Sequence, residues 1–170
     1  QGTASYPDYS IPLYYADASP PRVNVSDSTG WWGGLTNVPM PAGAKPSVGS
    51  DHHLSVWDVP NHMIYEFWDM RNSNGKWSAG LGSKLDTNGS GYQTTPWAGS
   101  ARAYGGSAVA GAIRYQEMKD GVINHALAMA YPWTKGKSYA MGLGTDGITQ
   151  NIATHTDNDG SANRNTAANI

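Results

Sequence analysis

The two glutamates of the chain are the first candidates for acid–base chemistry. Glu66 lies among aromatic residues in the segment 65–68, where partial removal from water would raise the pKa of its carboxyl toward the range useful in catalysis. Alternatively, Glu66 accepts hydrogen bonds from Ser55 and a neighbouring loop on a solvated sheet face. Glu117 lies in a short predicted helix, and we expect it to be an ordinary solvated residue.

Four histidines are the other candidates for a base or for a transition-metal site. His52 and His53 are adjacent, so they point to opposite faces of a strand and at most one of them serves a given site. If His53 and His125 converge with Glu66, the three form a site with a base and a carboxylate. If they do not converge, they are ordinary hydrogen-bonded histidines. Glu66, His53 and His125 are the predicted catalytic residues, and His62 is a further candidate for a base or a metal ligand.

The sequence leaves open whether the protein is an enzyme. Glycosidases need two carboxyl groups roughly 5 Å or 6.5–9.5 Å apart. Asp69 cannot join Glu66, because a separation of three residues along a strand directs the two side chains to opposite faces. The motifs of jelly-roll glucanases, alginate lyases, serine hydrolases and zinc peptidases are not found in the sequence. If the protein is catalytic, we expect a glycoside hydrolase or a polysaccharide lyase.

Aromatic residues are the candidates for sugar binding. The chain has 7 Trp and 10 Tyr but one Phe. Exposed indole and phenol rings stack on the apolar faces of sugar rings, although a domain with so little Phe must bury some of its Trp residues in the core. The predicted substrate-binding residues are Trp57, Trp68, Trp97 and Tyr104, drawn from a pool that includes Trp31, Trp32 and Trp77.

A weak calcium candidate lies near the C-terminus. Asp157 and Asp159 alternate with Asn158 and precede Gly160, as oxygen ligands do in calcium loops. No bidentate Glu follows, so an ordinary polar turn is the alternative. We expect no other cofactor.

These residues must be positioned by short strands. Glu and Lys are scarce, whereas 21 Gly and 10 Pro accompany many Ser, Thr and Asn residues, which favours an all-β fold with tight turns. Residues 51–85 predict a three-stranded meander with turns at Pro60–Asn61 and Asn74–Gly75. A two-residue loop at Pro60–Asn61 pairs positions whose numbers sum to 121, for example Ser55 with Glu66.

This register assigns the two faces of the hairpin. The face expected to meet the exterior carries His53, Ser55, Trp57, Ile64, Glu66 and Trp68. The face expected to fill the core is almost free of polar groups and carries Leu54, Val56, Met63, Tyr65 and Phe67. A slip of one residue would exchange the cross-strand partners.

The rest of the chain divides around this meander. Residues 1–50 are rich in Pro and predict an extended N-terminal arm, packed on its own domain or on a neighbouring chain. Residues 51–170 predict a single antiparallel β-sandwich of jelly-roll or concanavalin-like type. Within it, residues 113–120 predict a short helix that ends at Gly121, and residues 123–133 predict a buried strand.

Composition excludes several classes of protein. A net charge of −2 without basic runs argues against nucleic acid as a partner. No apolar stretch is long enough to span a bilayer, and no signal segment precedes Gln1, so we expect a secreted or cell-surface protein whose export signal has been removed. Asn24 and Asn88 lie in N-glycosylation sequons, which matter only in a glycosylating host.

Five sequence blocks resemble a family of large exported bacterial proteins. The blocks are GSDHHLSVWDVPNHMIYEFWD, GKWSAG, PWAGSARAYGG, IRYQEMKDGVINHALAMAYP and TDG, and the match extends over about residues 40–150. The resemblance implies an extracellular setting and a β-sandwich, but it implies no activity and no catalytic residues. Members of the family continue beyond the sequence ANI. The resemblance therefore implies either a partial chain or a sheet that another polypeptide completes.

From these observations we expect a β-sandwich that binds or modifies an extracellular polysaccharide. The alternative is a structural subunit of a self-assembling extracellular fibre or surface layer, with the N-terminal arm lying on a neighbouring copy. A cleft that contains Glu66 and two histidines would favour the first. An arm packed on another chain would favour the second.

Overall fold

The computed structural model describes residues 10–17, 19–89, 101–102 and 106–128. Eight strands and one helix lie in this part of the chain. They are β1 (Leu13–Ala16), β2 (Arg22–Asp27), β3 (Leu35–Pro39), β4 (Leu54–Asp58), β5 (Met63–Trp68), β6 (Arg71–Ser73), β7 (Lys76–Ala79), β8 (Leu81–Asp86) and α1 (Tyr115–Asp120). The protein is mostly β, as its composition predicts.

The strands form two four-stranded sheets. The first sheet has the order β1-β4-β5-β8 and the second the order β3-β2-β7-β6. Both sheets are mixed, because β1 pairs with β4 and β2 pairs with β7 in the parallel sense, whereas we expected antiparallel pairing throughout. Both parallel pairs join an N-terminal strand to a strand that lies far ahead of it in the sequence.

The predicted register of the central hairpin is confirmed. In β4 and β5, Ser55 pairs with Glu66 and Trp57 pairs with Ile64, and the register continues without a break from Leu54–Phe67 to Asp58–Met63. The backbone N–H of His62 donates to the carbonyl of Val59 at 3.2 Å, which closes the turn around Pro60 and Asn61. The alternation of side chains therefore follows the faces that the sequence assigns.

The core side of the hairpin is also confirmed. Leu54, Val56, Tyr65 and Phe67 are buried, and Met63 packs against them at the margin. The second sheet contributes Val25, Val38, Trp77 and Ala79 to the same apolar cluster. The hydrophobic core thus lies between side chains of both sheets, where burial of apolar surface stabilises the fold.

The predicted third strand of the meander is in fact two strands. Lys76–Ala79 pairs with β6 across the turn at Asn74 and Gly75, whose φ angles of 51° and 84° suit an Asn-Gly hairpin. After Gly80 the chain enters the first sheet as β8. A Cβ atom at Gly80 would lie 2.6 Å from the ring of Trp68, so a larger residue at this crossing point would require the indole ring to move.

The N-terminal region does not lie apart from the sheets in the described part of the chain. Three of the eight described strands, β1 to β3, come from the region that we expected to form an extended arm. The proline residues explain the expectation, because they rule out helix but leave edge strands possible. A partly buried ion pair also joins this region to the hairpin, since the exposed Arg22 on β2 lies 3.3 Å from the buried Asp58 on β4.

The predicted helix is confirmed, and the predicted strand that follows it is wrong in its described part. Helix α1 ends at Gly121, which has a left-handed φ of 70°. Residues 122–128 form no strand, and Ile123 and Leu127 are 39% and 38% exposed. Their apolar side chains favoured a buried strand, but no strand pairs with them. None of the helices in the described residues is long and apolar enough to cross a membrane.

Candidate functional site

Glu66 lies at the centre of the first sheet, on the face away from the apolar core. Its cross-strand partners are Ser55 on β4 and Ser83 on β8, so three polar side chains form a row across the sheet. The three residues are 1–2% exposed. This face is therefore buried as well, which corrects the expectation that it meets the exterior.

The cover over this face is the segment formed by residues 101–102 and 106–112, called here the cover segment. The side chain of Val109 packs in a small apolar cluster with Ile64 and Leu85. The backbone N–H of the same residue donates to Oε1 of Glu66 at 2.7 Å. The expectation of an open face was wrong because a backbone loop can satisfy a polar sheet face as well as water can.

Burial controls the ionisation of Glu66. It raises the pKa of the Glu66 carboxyl to about 7, although hydrogen bonds from Val109, Ser107 and Ala108 and the charge of Arg102 favour the ionised form. The sequence predicted the direction of this shift, but from partial contact with aromatic side chains. The cause in the structure is almost complete removal from water.

His53, which directly precedes β4, is buried and is held in one neutral tautomer. Its Nδ1 lies 3.1 Å from the carbonyl oxygen of Phe67, which can only accept, so Nδ1 carries the proton. Its Nε2 then accepts from the guanidinium of Arg102 at 3.0 Å. Burial and, to a smaller degree, Arg102 lower the pKa of His53, whereas the Phe67 carbonyl and Asp51, 3.8 Å away, act in the opposite direction.

His125 makes its contacts elsewhere in the described structure. Its Nε2 lies 2.8 Å from Oε1 of Glu117, and its Nδ1 lies 2.7 Å from the carbonyl oxygen of Ala126. These two acceptors, the Ala126 carbonyl first, raise the pKa of His125. Glu117 also accepts from the backbone N–H of Arg114 at 2.8 Å, so its side chain caps the start of helix α1.

The structure therefore gathers Glu66 and His53 around Arg102 and the cover segment. Neither ring nitrogen of His53 is open to a substrate, and the carboxyl of Glu66 is 2% exposed. General acid–base catalysis needs a proton donor within hydrogen-bond reach of the substrate. In this conformation the cluster holds the cover segment on the sheet, and it offers no surface to a substrate.

Two of the predicted sugar-binding residues lie at the margins of the covered face. Trp57 is half-buried against Ile64, Leu85 and Val109, and its ring stacks on Tyr15 with centroids 5.7 Å apart and an interplanar angle of 30°. Trp68, also half-buried, lies against Gly80. Tyr15 is 60% exposed. The pair Tyr15–Trp57 is thus an anchored aromatic surface in contact with solvent.

Another exposed aromatic residue, Trp31, lies in the loop of residues 27–33, called here the Asp27 loop. Trp31 is 72% exposed, whereas its neighbour Trp32 packs edge-on against Phe67. Sequence reasoning did not select Tyr15, Asp27 or Arg102. A signal existed for Asp27, because an acidic residue followed by Ser-Thr-Gly favours a side-chain-closed turn.

The remaining predicted site residues lie outside the described residues. They are Trp97 and Tyr104 of the sugar-binding set and Asp157 and Asp159 of the calcium candidate. Within the ranges that the structure does describe, no group of three or more His, Cys, Asp or Glu residues is arranged to hold a metal ion.

Comparison with known proteins returned no relative. No protein-family model, no curated protein and no solved structure matches the chain.

Proposed function

We propose that this protein is an extracellular polysaccharide-binding protein. The observation that carries the proposal is the aromatic pair Tyr15–Trp57. Register fixes the pair, because Tyr15 lies opposite Trp57 in the parallel ladder of β1 and β4. The apolar cluster under Trp57 holds the ring in place, while Tyr15 remains 60% exposed. A rigid, exposed aromatic surface is what the apolar face of a sugar ring stacks on.

Binding is better supported than catalysis. The two candidate catalytic residues, Glu66 and His53, are 2% and 4% exposed. Oε1 of Glu66 accepts from the backbone of the cover segment, and the two ring nitrogens of His53 contact the Phe67 carbonyl and Arg102. The aromatic pair lies on the surface and needs no rearrangement to meet a polymer. A polysaccharide is the expected ligand class, since a long polymer can lie across an open surface whereas small molecules favour enclosed pockets.

The test is retention on insoluble polysaccharides with paired tyrosine variants. Tyr15→Ala removes the exposed half of the pair and is expected to weaken retention about tenfold, which corresponds to about 1.4 kcal/mol of lost stacking. Tyr115→Ala is the matched control, because Tyr115 on helix α1 is 76% exposed and lies outside the pair. Equal retention of both variants and the unmodified protein, or no retention of any of them, would contradict the proposal.

The proposal includes the arrangement of the sheets. We propose that the two sheets form a β-sandwich, and the support is the single apolar cluster to which both contribute. The jelly-roll or concanavalin-like subtype stays a prediction, as do secretion and the exclusion of nucleic acid as a partner.

A second candidate function is that of a structural subunit in an extracellular fibre or layer. Helix α1 buries none of its residues, and Ile113, Tyr115, Met118 and Val122 are 52–76% exposed along the helical region. Exposed apolar side chains grouped in this way are typical of surfaces that contact other chains. Sedimentation analysis separates the two functions. A subunit would assemble with rising concentration and Met118→Glu would prevent assembly, whereas a binding protein would show neither effect.

A further inference from the structure

The Asp27 loop is fixed by one carboxylate. Oδ1 of Asp27 accepts from the backbone N–H groups of Thr29 and Gly30, both at 2.8 Å, and from the Thr29 hydroxyl at 2.9 Å. Oδ2 accepts from the backbone N–H groups of Trp32 and Gly33, both at 2.8 Å. Burial acts to raise the pKa of Asp27, but these hydrogen bonds outweigh it and hold the pKa well below its ordinary value. The loop is therefore closed on itself before any ligand arrives.

The same loop is attached to the junction of β7 and β8. The single hydrogen of the Thr29 hydroxyl is shared between Oδ1 of Asp27 and the carbonyl of Gly80, each 2.9 Å from Oγ1. Nε1 of Trp32 donates to the carbonyl of Ala79 at 3.3 Å. The ring of Trp32 lies over Gly82, where a Cβ atom would come within 2.6 Å of it. The loop thus has a fixed position as well as a fixed shape.

This rigid loop keeps one large aromatic side chain in water. Trp31 is 72% exposed although Trp32 beside it is packed. Leaving an indole ring in water forgoes the stabilisation that its burial would contribute. A loop that is rigid and yet presents such a ring loses little conformational freedom when a ligand stacks on it.

A groove begins where the Asp27 loop ends. It has a volume of about 490 Å³, and its lining includes Asn24, Ser26, Gly33, Gly34, Lys76 and Trp77. Gly33 and Gly34 follow Trp31 after one intervening residue, Trp32, so the loop that presents the indole ring also forms one wall of the groove. The lining combines amide and hydroxyl groups with apolar surface, as sugar-binding surfaces do.

Charge indicates which polysaccharide would fit. Lys76 is the charged residue of the groove lining, and all the other lining residues are neutral. The nearest acidic residue along β2 is Asp27, and both of its oxygens already accept hydrogen bonds from the loop. A lysine ammonium beside neutral hydrogen-bonding groups suits a carboxylate on a sugar ring.

We propose that Trp31 and this groove form a second binding subsite, specific for an acidic polysaccharide, in which Trp31 stacks on a sugar ring and Lys76 binds the carboxylate of a uronic acid unit. The inference rests on the proposed function, because it adds a ligand class and a second contact to the same polymer-binding activity. Asp27 is a positioning residue in this subsite, since it acts through the loop.

The test compares two soluble probes of equal length by calorimetry: an oligogalacturonate, which is acidic, and a cello-oligosaccharide, which is neutral. Trp31→Ala is expected to weaken binding of the oligogalacturonate about tenfold. Lys76→Gln is expected to weaken it about threefold and to leave the neutral probe unaffected, because an exposed ion pair is screened by water and contributes only modestly to binding. Lys84→Gln is the matched control, since Lys84 is an exposed lysine on β8 of the other sheet.

The outcomes separate this inference from the proposed function. If Trp31→Ala and Lys76→Gln bind like the unmodified protein while Tyr15→Ala loses affinity, the second subsite is wrong and the proposed function stands. If Lys84→Gln weakens binding as much as Lys76→Gln, the specific role of the groove is also wrong. If the unmodified protein binds neither probe and no insoluble polysaccharide, both proposals fail together. Trp31→Phe should recover part of the affinity lost in Trp31→Ala, which a role in folding alone would not explain.

Discussion

The two faces of the first sheet are equally buried but chemically different. On the core face, Leu54, Val56 and Phe67 are 0–1% exposed and contact other apolar side chains. On the opposite face, Ser55, Glu66 and Ser83 are 1–2% exposed and lie under the cover segment. The same alternating pattern along β4 and β5 thus produces one interior that depends on packing and another that depends on hydrogen bonds.

The difference between the two faces shows how far an alternating pattern of polar and apolar residues in a strand can be interpreted. A polar residue at every second position shows which side chains avoid the apolar core. It does not show that they meet water, because backbone groups of a loop satisfy them as well. Substitutions on the two faces should therefore change the stability of the protein for different reasons, lost packing on one face and altered hydrogen bonds or charge on the other. Their effects should also depend differently on pH.

The largest effect is expected on the core face. Phe67→Ala removes an aromatic side chain that is 1% exposed, and it should lower the free energy of unfolding by about 3–5 kcal/mol through lost burial and the cavity left behind. Chemical denaturation monitored by tryptophan fluorescence measures the change. Val48→Ala, at a residue that is 76% exposed, should alter stability by less than about 0.5 kcal/mol. Similar losses for both variants would show that the two sites do not differ in burial.

The next effect concerns the charge of Glu66. The folded-state pKa of about 7 exceeds the unfolded value of 4.5, so between these pH values the folded protein keeps a proton that the unfolded chain releases. Stability should therefore fall as pH rises through this window, by up to about 3 kcal/mol. Glu66→Gln does not titrate and should remove this fall.

Denaturation curves at several pH values between 4 and 9 measure the effect of Glu66→Gln. Any cost of the new amide group is the same at each pH and so does not alter the slope. Glu117→Gln is the control, because the pKa of Glu117 is lowered, chiefly by the backbone N–H of Arg114. A parallel pH dependence in the unmodified protein and Glu66→Gln would mean that Glu66 is solvated.

A smaller effect is expected at the two buried serines of the covered side. The Ser83 hydroxyl is buried without a hydrogen-bond partner among the described residues, so Ser83→Ala should raise the free energy of unfolding by about 1 kcal/mol. The Ser107 hydroxyl accepts from the backbone N–H of Ala110 at 3.0 Å, so Ser107→Ala should lower it by about 1 kcal/mol. If thermal unfolding showed that both serine variants are stabilised, or that both are destabilised, the predicted difference between Ser83 and Ser107 would be wrong.

The least invasive test requires no substitution. An NMR titration should place the pKa of His53 below 6.5 and that of His125 above it, because burial and Arg102 oppose a charge on the first whereas the Ala126 carbonyl and Glu117 favour a charge on the second. The reverse order of the two values would mean that the cover segment does not pack on His53 as described.

The sequence predicted the local features of the fold well. The hairpin register, the Asn74–Gly75 turn and the end of helix α1 each depend on residues close together in the chain, and each is confirmed. The split of 76–86 into two strands could not be read from the residues, because Gly80 permits both a continuous strand and a crossing. The strands formed by the N-terminal region depend on partners distant in sequence.

The candidate site was predicted only in part, because it too depends on contacts between residues that are distant in the sequence. Glu66 was recognised from its aromatic neighbours, and the direction of its pKa shift is confirmed. The contact between Arg102 and His53 was missed, because nothing in the spacing of the two residues indicates that a loop folds back over β4. The exposure of Trp31 and the packing of Trp32 were equally unpredictable, since adjacent identical residues differ only in the direction that the Asp27 loop gives them.

The parallel pairing of β1 with β4 and of β2 with β7 has a consequence for folding. Leu13 pairs with Ser55, and Val25 pairs with Trp77, so β1 and β2 leave the ribosome well before the strands with which they pair. A high contact order of this kind slows folding. During synthesis the unpaired edges of these strands can associate with other nascent chains, and a chaperone that binds the first fifty residues should raise the yield of folded protein.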